Sequence, residues 1–142
     1  MKTREFKKLT HEGAFVALSA AVDYATEIGV PQNICIVDDG GNLLAFIRMD
    51  GAKFLSSETC MKKAITAASH SRPSGSLLPE LEVKLSLATN GRLTNLEGGF
   101  PIIIDGYTVG GIGVGSGSGS EDVAVAKAAL RALGAEIPGE AA

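Results

Sequence analysis

Two apolar runs separated by a glycine-rich turn are the feature that most constrains the fold of this chain. They occupy residues 32–50, with the turn DGGN at residues 39–42. Apolar runs of about six residues bounded by Gly and Asn are typical of strands, and adjacent glycines allow the positive φ angles of tight hairpins. Residues 100–116 repeat the pattern, with Asp105-Gly106 at the turn. The sequence therefore predicts two β-hairpins.

Helical patterns lie around the two hairpins. One runs from Thr10, its expected N-cap, to about Ile28, and a last one follows the second hairpin. Their apolar positions recur every three or four residues: Phe15, Leu18, Val22 and Ala25 in the first, and Val123, Ala126, Leu130 and Leu133 in the last. Such faces need a sheet or another helix to cover them.

Two more helices are predicted between the hairpins. The first begins at Ser56 and ends before Arg72-Pro73, because proline disfavours a helical conformation in the residue before it. Its inner face carries Met61, Ala64, Ile65 and Ala68. The helix is rich in small residues such as these alanines, which allow close packing against a sheet. A short helix is expected at residues 77–87. The stretch ATNGRLTNLEGG at residues 88–99 has no clear periodicity, and it is either a binding loop or a mobile connector.

Composition narrows the class of protein. The 142 residues are 45% hydrophobic but only 5% aromatic, which predicts a single domain with an aliphatic core. A net charge of -3 argues against nucleic-acid binding, which needs a concentrated basic surface.

The charged N-terminus and the lack of a long apolar run favour a cytoplasmic protein that neither enters nor spans a membrane. Cys35 and Cys60, without chelating spacing, are interpreted as small buried hydrophobes.

Three segments together resemble one known family. IVDDGGNLLAFIRMDGA, KKAITAASHSRPS and EGGFPIIIDGYTVGGIGVGSGSGSEDVAVAKAAL occur in this order within residues 9–133. In these segments the chain resembles the GlcG/HbpS-like haem-binding proteins (DUF336), which also occur as the C-terminal domain of PduO-type proteins. The resemblance implies a profilin-like α/β sandwich with an antiparallel sheet. It also implies one domain over residues 1–142 with its core at about 9–135, and homo-oligomers from dimers to octamers.

The resemblance further implies a small-molecule ligand, with haem or a related tetrapyrrole as the first hypothesis. Histidine is the usual axial ligand of haem iron, and the sequence holds only His11 and His70. His11 follows the expected N-cap and falls in the first helical turn. His70 ends the second helix, where its protonated ring would also favour the negative end of the helix dipole. Both are candidate metal ligands.

The alternative hypothesis is a metal-independent catabolic lyase or isomerase acting on a small carboxylated compound at a subunit interface. Arg48 and Lys63 are the candidate cations for gripping a carboxylate, although Arg48 could instead form ion pairs with its acidic neighbours. Glu97 is the preferred acid–base group, and Asp38 is the second candidate, with a turn-capping role as its alternative.

Two glycine-rich segments are candidate sites for an anion. Gly98 and Gly99 could present backbone N–H groups to a ligand. GVGSGSGSED at residues 113–122 leads into the last helix and resembles a phosphate cradle, but it lacks the lysine of a P-loop. The sequence favours a capping role for Ser120, with Glu121 and Asp122 suited to the positive helix end.

Overall fold

The computed structural model describes residues 1–140; Ala141 and Ala142, the last two residues of the predicted domain, lie outside the described part. Within residues 1–140 there are four α-helices and four β-strands. In chain order they are α1 (His11–Glu27), β1 (Asn33–Asp38), β2 (Leu43–Arg48), α2 (Ser56–His70), α3 (Pro79–Ala88), β3 (Gly99–Ile104), β4 (Tyr107–Gly115) and α4 (Gly119–Leu133).

The strands form one antiparallel sheet in the order β2-β1-β4-β3, so the two predicted hairpins are confirmed and lie side by side. At the second turn, Asp105 and Gly106 have φ angles of 52° and 81°. Two consecutive positive φ angles match the twist of a tight hairpin, which explains why Asp-Gly stands there. The long strand β4 pairs with β1, and these two strands form the centre of the sheet.

The sheet is covered on both faces, which confirms the predicted α/β sandwich. Successive side chains of a strand point to opposite faces. Ile34 and Ile36 of β1 join the cluster formed with α1 and α4, whereas Cys35 and Val37 join the cluster under α2. This two-sided burial explains the uninterrupted apolar run of β1.

Both cysteines are free and buried in the cluster between α2 and the sheet, Cys60 on α2 and Cys35 on β1. The thiol of Cys35 lies 3.5 Å from the sulfur of Met61. Burial raises the pKa of Cys35 and of Cys60 to about 12, because the low-dielectric interior disfavours a thiolate. Both residues pack as small apolar side chains, as their sequence context indicates.

The buried face of α1 differs from the predicted one. Thr10 caps the helix as expected, since its Oγ1 accepts a hydrogen bond from the Gly13 N–H at 3.0 Å. The fully buried side chains are alanines, of which Ala25 was predicted, and the predicted Leu18 and Val22 pack against the core while partly buried; the alanines are Ala14, Ala17, Ala21 and Ala25. Phe15 is 67% exposed, so its assignment to the buried face was wrong. Close packing between α1 and its neighbours favours small residues over large ones where the helix backbone approaches them, as at the four buried alanines.

Helix α2 lies unusually close to β4, which confirms the packing predicted from its small residues. A Cβ atom on Gly111 would overlap the carbonyl oxygen of Ala64, and one on Gly113 would overlap that of Cys60. Both glycines face α2, and neither has a positive φ angle. Their role is therefore to leave room for the helix backbone.

Helix α3 projects from the body of the domain. It occupies Pro79–Ala88, close to the predicted residues 77–87, and none of its residues is buried. Three of its apolar side chains are exposed: Leu81, Val83 and Leu87. In the part of the chain that the structure describes, none of the helices is both long and apolar enough to cross a membrane.

The N-cap of α4 is Ser118, not Ser120 as predicted. Its Oγ accepts a hydrogen bond from the Glu121 N–H at 3.2 Å, and the Glu121 carboxylate accepts one from the Ser118 N–H at 2.8 Å. This reciprocal pair is a capping box, which satisfies two N–H groups at the helix start. Ser120 lies inside the first turn. The sequence pattern is ambiguous here, because Ser116, Ser118 and Ser120 alternate with glycine.

We expect Ser118→Ala to lower the free energy of unfolding by about 1 kcal/mol, since the Glu121 N–H loses its acceptor. Ser120→Ala is the matched control and should change stability by less than about 0.5 kcal/mol. Urea unfolding of both variants checks the assignment. A larger loss for Ser120→Ala than for Ser118→Ala would contradict it.

Candidate functional site

A polar cleft of about 450 Å³ lies where α2, the loop before β3 and the loop between β4 and α4 meet. The loops bring together residues from three distant parts of the sequence. The lining residues are Lys53, Ser56, Thr59, Lys63, Asn95, Leu96, Glu97, Ser116, Gly117, Gly119 and Asp122. All but Leu96 and the two glycines carry a polar or charged side chain, which suits a small polar ligand better than a large apolar one.

A buried ion pair forms one wall of the cleft. Lys63 of α2 and Asp122 of α4 are 5% and 3% exposed. The Lys63 Nζ lies 3.1 Å from the Asp122 Oδ2, and it donates a second hydrogen bond to the carbonyl oxygen of Val114 at 2.7 Å. The pair therefore joins the helices on the two faces of the sheet, just beyond the end of β4.

The environment of Asp122 opposes its charge. Burial raises the pKa of this carboxyl, while the Lys63 ammonium and the hydrogen bond from Gly117 act in the opposite direction. The Gly117 N–H lies 3.0 Å from the Asp122 Oδ1 and 3.0 Å from the Oε1 of Gln32, which is itself fully buried. The carboxylate is thus held between α2 and the loop that precedes α4.

Gly98 and Gly99 make room for Lys63. A Cβ on Gly98 would lie 3.1 Å from the Lys63 Nζ and 2.7 Å from the carbonyl oxygen of Val114, and one on Gly99 would overlap the Lys63 carbonyl. The N–H of Gly99 is already used, because it donates to the Oγ of Ser74 at 2.9 Å. These glycines therefore shape the wall behind the ammonium group.

Ser116 has a strained backbone at the edge of the cleft. Its φ angle is 101°, a value that side-chain-bearing residues rarely adopt. Its Oγ accepts a hydrogen bond from the Lys53 N–H at 2.9 Å, which ties the loop before α2 to the loop before α4. Strained residues of this kind persist where surrounding contacts fix them, and they cluster at functional sites.

Glu97 reaches the cleft from the loop before β3. Its side chain is exposed, and a Cβ on Gly119 would lie only 2.5 Å from its Oε2. The carboxylate thus sits beside the first turn of α4, where the helix dipole favours negative charge. Glu97, Gly98 and Gly99 are consecutive in the sequence, and the structure brings this segment against Lys63, the fourth residue proposed from the sequence.

Arg48 and Asp38 lie away from this cleft. Arg48 ends the edge strand β2 with an exposed side chain, and among residues 1–140 it forms no ion pair. Asp38 closes the first hairpin: its Oδ1 accepts hydrogen bonds from the N–H groups of Gly40 and Asn42, both at 2.9 Å. Burial acts to raise the pKa of Asp38, but these bonds outweigh it and hold the pKa below its usual value. Asp38 therefore has the structural role weighed for it as an alternative.

The two histidines lie at opposite ends of their helices, His11 at an N-terminus and His70 at a C-terminus. His11 is the first residue of α1 and is exposed. His70 is the last residue of α2 and is half-buried, with its Nδ1 3.2 Å from the carbonyl oxygen of Thr66. Across the described residues, no three His, Cys, Asp or Glu side chains converge in a way that could hold a metal ion.

Sequence reasoning did not assign Asp122, Ser116 or Lys53 to a site. Asp122 was interpreted only as a favourable charge at a helix start, because its partner Lys63 is distant in the sequence. The strain at Ser116 has no local signal, since glycine–serine stretches adopt many conformations. The one available hint was the glycine–serine loop itself, which does form part of the cleft wall.

Comparison with known proteins gives a consistent result. Residues 9–131 match the family described as "Haem degrading protein HbpS-like". The Protein GlcG of Escherichia coli (strain K12) is 34% identical over 122 residues, which cover 80% of this chain and 84% of that protein.

Two solved structures share the fold. The crystal structure of HbpS superposes with a TM-score of 0.82 at 34% identity, covering 93% of this chain and 94% of that one. The crystal structure of the PduOC:heme complex superposes with a TM-score of 0.84 at 28% identity, covering 92% and 98%. The predicted relationship is confirmed by sequence and structure alike. The chain belongs to the HbpS-like family.

Proposed function

We propose that this protein binds haem or a related tetrapyrrole, with His11 as the axial ligand of the iron. Support comes from the family description, which refers to haem degradation, and from the similarity to PduOC, which was crystallised with heme. A tetrapyrrole needs an apolar surface together with an accessible ligand atom. The polar cleft beside Lys63 does not offer this combination, because its walls are mostly polar and contain neither histidine.

The observation that carries the proposal is the outer face of α1. His11 and Phe15 are four residues apart and therefore neighbours on one face of the helix. The His11 side chain is exposed, and Phe15 is 67% exposed, which is unusual for a phenyl ring. Leu18 and Val22 continue the same face: they pack against the core, but each is only partly buried and leaves apolar surface beside Phe15. An imidazole at the end of an apolar stripe is the arrangement that a flat, iron-bearing ring can use.

His70 is the less suitable ligand. Its ring is half-buried, and its Nδ1 is held by the carbonyl oxygen of Thr66. No large aromatic side chain shares its face of α2, which carries Thr66 and Lys63 at helical spacing. His70 therefore provides a matched control for His11, since each is a single histidine at a helix terminus.

We expect His11→Ala to weaken haem affinity at least about tenfold, equivalent to about 1.4 kcal/mol. Phe15→Ala should also weaken binding, because it removes apolar contact area, whereas His70→Ala should bind as the unmodified protein does. Haem titration followed by the Soret absorption measures all three. Unchanged binding by His11→Ala, or loss of binding only in His70→Ala, would contradict the assignment.

We also propose that the protein assembles into homo-oligomers, from dimers to octamers. The exposed apolar residues of α3, together with Phe46 and Ile47 on the edge strand β2, support this proposal. Isolated exposed apolar residues are common, but a projecting helix and an open sheet edge are surfaces that other chains often cover.

A further inference from the structure

We propose that the polar cleft is a second ligand site, distinct from the haem surface, for a small organic acid with a hydroxyl or amino group next to its carboxylate. The cleft contains neither histidine, and its walls are mostly polar. Its volume of about 450 Å³ lies toward the small end of the roughly 300–1,000 Å³ that is usual for ligand pockets. Three features of its walls define the chemistry of the ligand.

The first feature is an unused donor on a buried cation. A lysine ammonium has three N–H groups. Lys63 gives one to the Val114 carbonyl and one to Asp122, and no third acceptor lies within hydrogen-bond distance among residues 1–140. Because Lys63 is only 5% exposed and forms part of the cleft wall, we infer that a ligand in the cleft is the acceptor for this third N–H group. A buried donor without a partner is costly, so a ligand oxygen placed there gains a charge-assisted hydrogen bond.

The second feature is a carboxylate that is free to accept. Glu97 also lines the cleft, and within the described residues its carboxylate takes part in neither an ion pair nor a side-chain hydrogen bond. A ligand that meets Glu97 must bring a donor, either a hydroxyl or an ammonium group. Glu97 and Lys63 line the same small cleft, and Gly98, which directly follows Glu97, lies against the Lys63 ammonium. We infer that one compact ligand meets both side chains. A carboxylate with a hydroxyl or ammonium group on the adjacent carbon is compact and carries both groups.

The third feature is that the walls are fixed in advance. Ser116 holds its strained conformation through the hydrogen bond from the Lys53 N–H, and the Gly117 N–H is held by Asp122 and Gln32. Lys53 adds an exposed ammonium group at the rim, where it can attract an anion. Walls that are ordered before binding lower the entropic cost of holding a small ligand.

The test uses three acids that share a three-carbon skeleton: lactate, alanine and propionate. Each is titrated into the ¹⁵N-labelled full chain without haem, and the amide signals of Gly98, Ser116 and Gly117 are followed by NMR. We expect saturable shifts at these amides with lactate or alanine, and affinity at least about tenfold lower for propionate, which lacks the donor for Glu97. Lactate and alanine distinguish the hydroxyl from the amino form of the ligand.

Glu97→Ala is the variant of choice, because it removes the acceptor from an exposed position and leaves the Lys63–Asp122 pair intact. It should reduce the advantage of the preferred acid over propionate to less than about threefold. His11→Ala should leave all three titrations unchanged, so this proposal and the haem proposal can fail independently. The inference is overturned if none of the acids shifts these amides, if propionate binds as well as the other two, or if Glu97→Ala leaves the preference intact.

Discussion

Replacement of Lys63 by methionine should destabilise the fold by about 3–5 kcal/mol. Methionine is similar in length and apolar, so the change removes the charge and leaves most of the packing. Asp122, which is 3% exposed, would then remain as a buried carboxylate whose Oδ2 has lost its ammonium partner. Burial raises the pKa of this carboxyl and the Lys63 ammonium opposes that shift, so removal of Lys63 raises the pKa further, and the loss of stability should be largest at neutral pH and smaller in acid. Urea unfolding at neutral pH measures the loss directly.

A double variant separates the cost of an orphaned charge from the value of the ion pair. Combining Lys63→Met with Asp122→Leu removes both charges, and we expect it to recover most of the stability lost in the single variant. Asp122→Leu alone should be destabilising as well, because it leaves the ammonium buried. A loss below about 1 kcal/mol for Lys63→Met would mean that the pair behaves like an exposed salt bridge.

Gly113→Ala should lower the free energy of unfolding by at least about 3 kcal/mol, the upper part of the range for overpacked cores. The added methyl group would overlap the carbonyl oxygen of Cys60, which belongs to the backbone of α2 and cannot rotate away. Relief requires that α2 move away from β4, and that movement would open the cluster under the helix and carry Lys63 away from Asp122.

Gly115→Ala is the matched control in the same strand. Its new methyl group would have Ser56 atoms at 3.3 Å as nearest neighbours, a tight but tolerable distance, and Gly115 has no positive φ angle. We expect a loss of less than about 1 kcal/mol. Thermal unfolding of the two variants side by side measures the difference, and equal losses would contradict the close approach of α2 at Gly113.

These two sets of variants also bear on the cleft. Lys63 belongs to α2, whereas Asp122 belongs to α4 on the other face of the sheet. The cleft therefore keeps its shape only if α2 packs at the correct distance from β4. Gly111 and Gly113 allow that close distance, because neither has a side chain that would meet the helix backbone. The same packing that stabilises the domain therefore positions the buried ammonium group.

The elements themselves were largely predictable from the sequence, because hairpins and helix ends depend on local chemistry. The turn around Gly40 and Gly41, the N-cap at Thr10 and the end of α2 before Pro73 were each predicted and confirmed. The error in the N-cap of α4 arose because several serines have similar neighbours in the sequence. Ser118 and Ser120 have nearly the same neighbours, and only the reciprocal bonds with Glu121 distinguish them.

The choice of buried face on α1 shows a different limit. Apolar periodicity assigned Phe15 to the buried face together with Leu18 and Val22, yet those two pack against the core and Phe15 is 67% exposed. Size complementarity between two surfaces cannot be judged from one of them. The exposed Phe15 that results is the basis of the proposed haem surface.

The sequence by itself determined the two hairpins, the order of the helices and the family of this protein, because turn chemistry, capping and apolar periodicity act over a few residues. Only the tertiary structure brought Lys63 to Asp122, which are 59 residues apart. It also placed Glu97 and Ser116 beside them. Long-range contacts of this kind depend on how closely two layers approach the sheet, and that distance is set by glycine and alanine residues whose importance is visible only after the chain has folded.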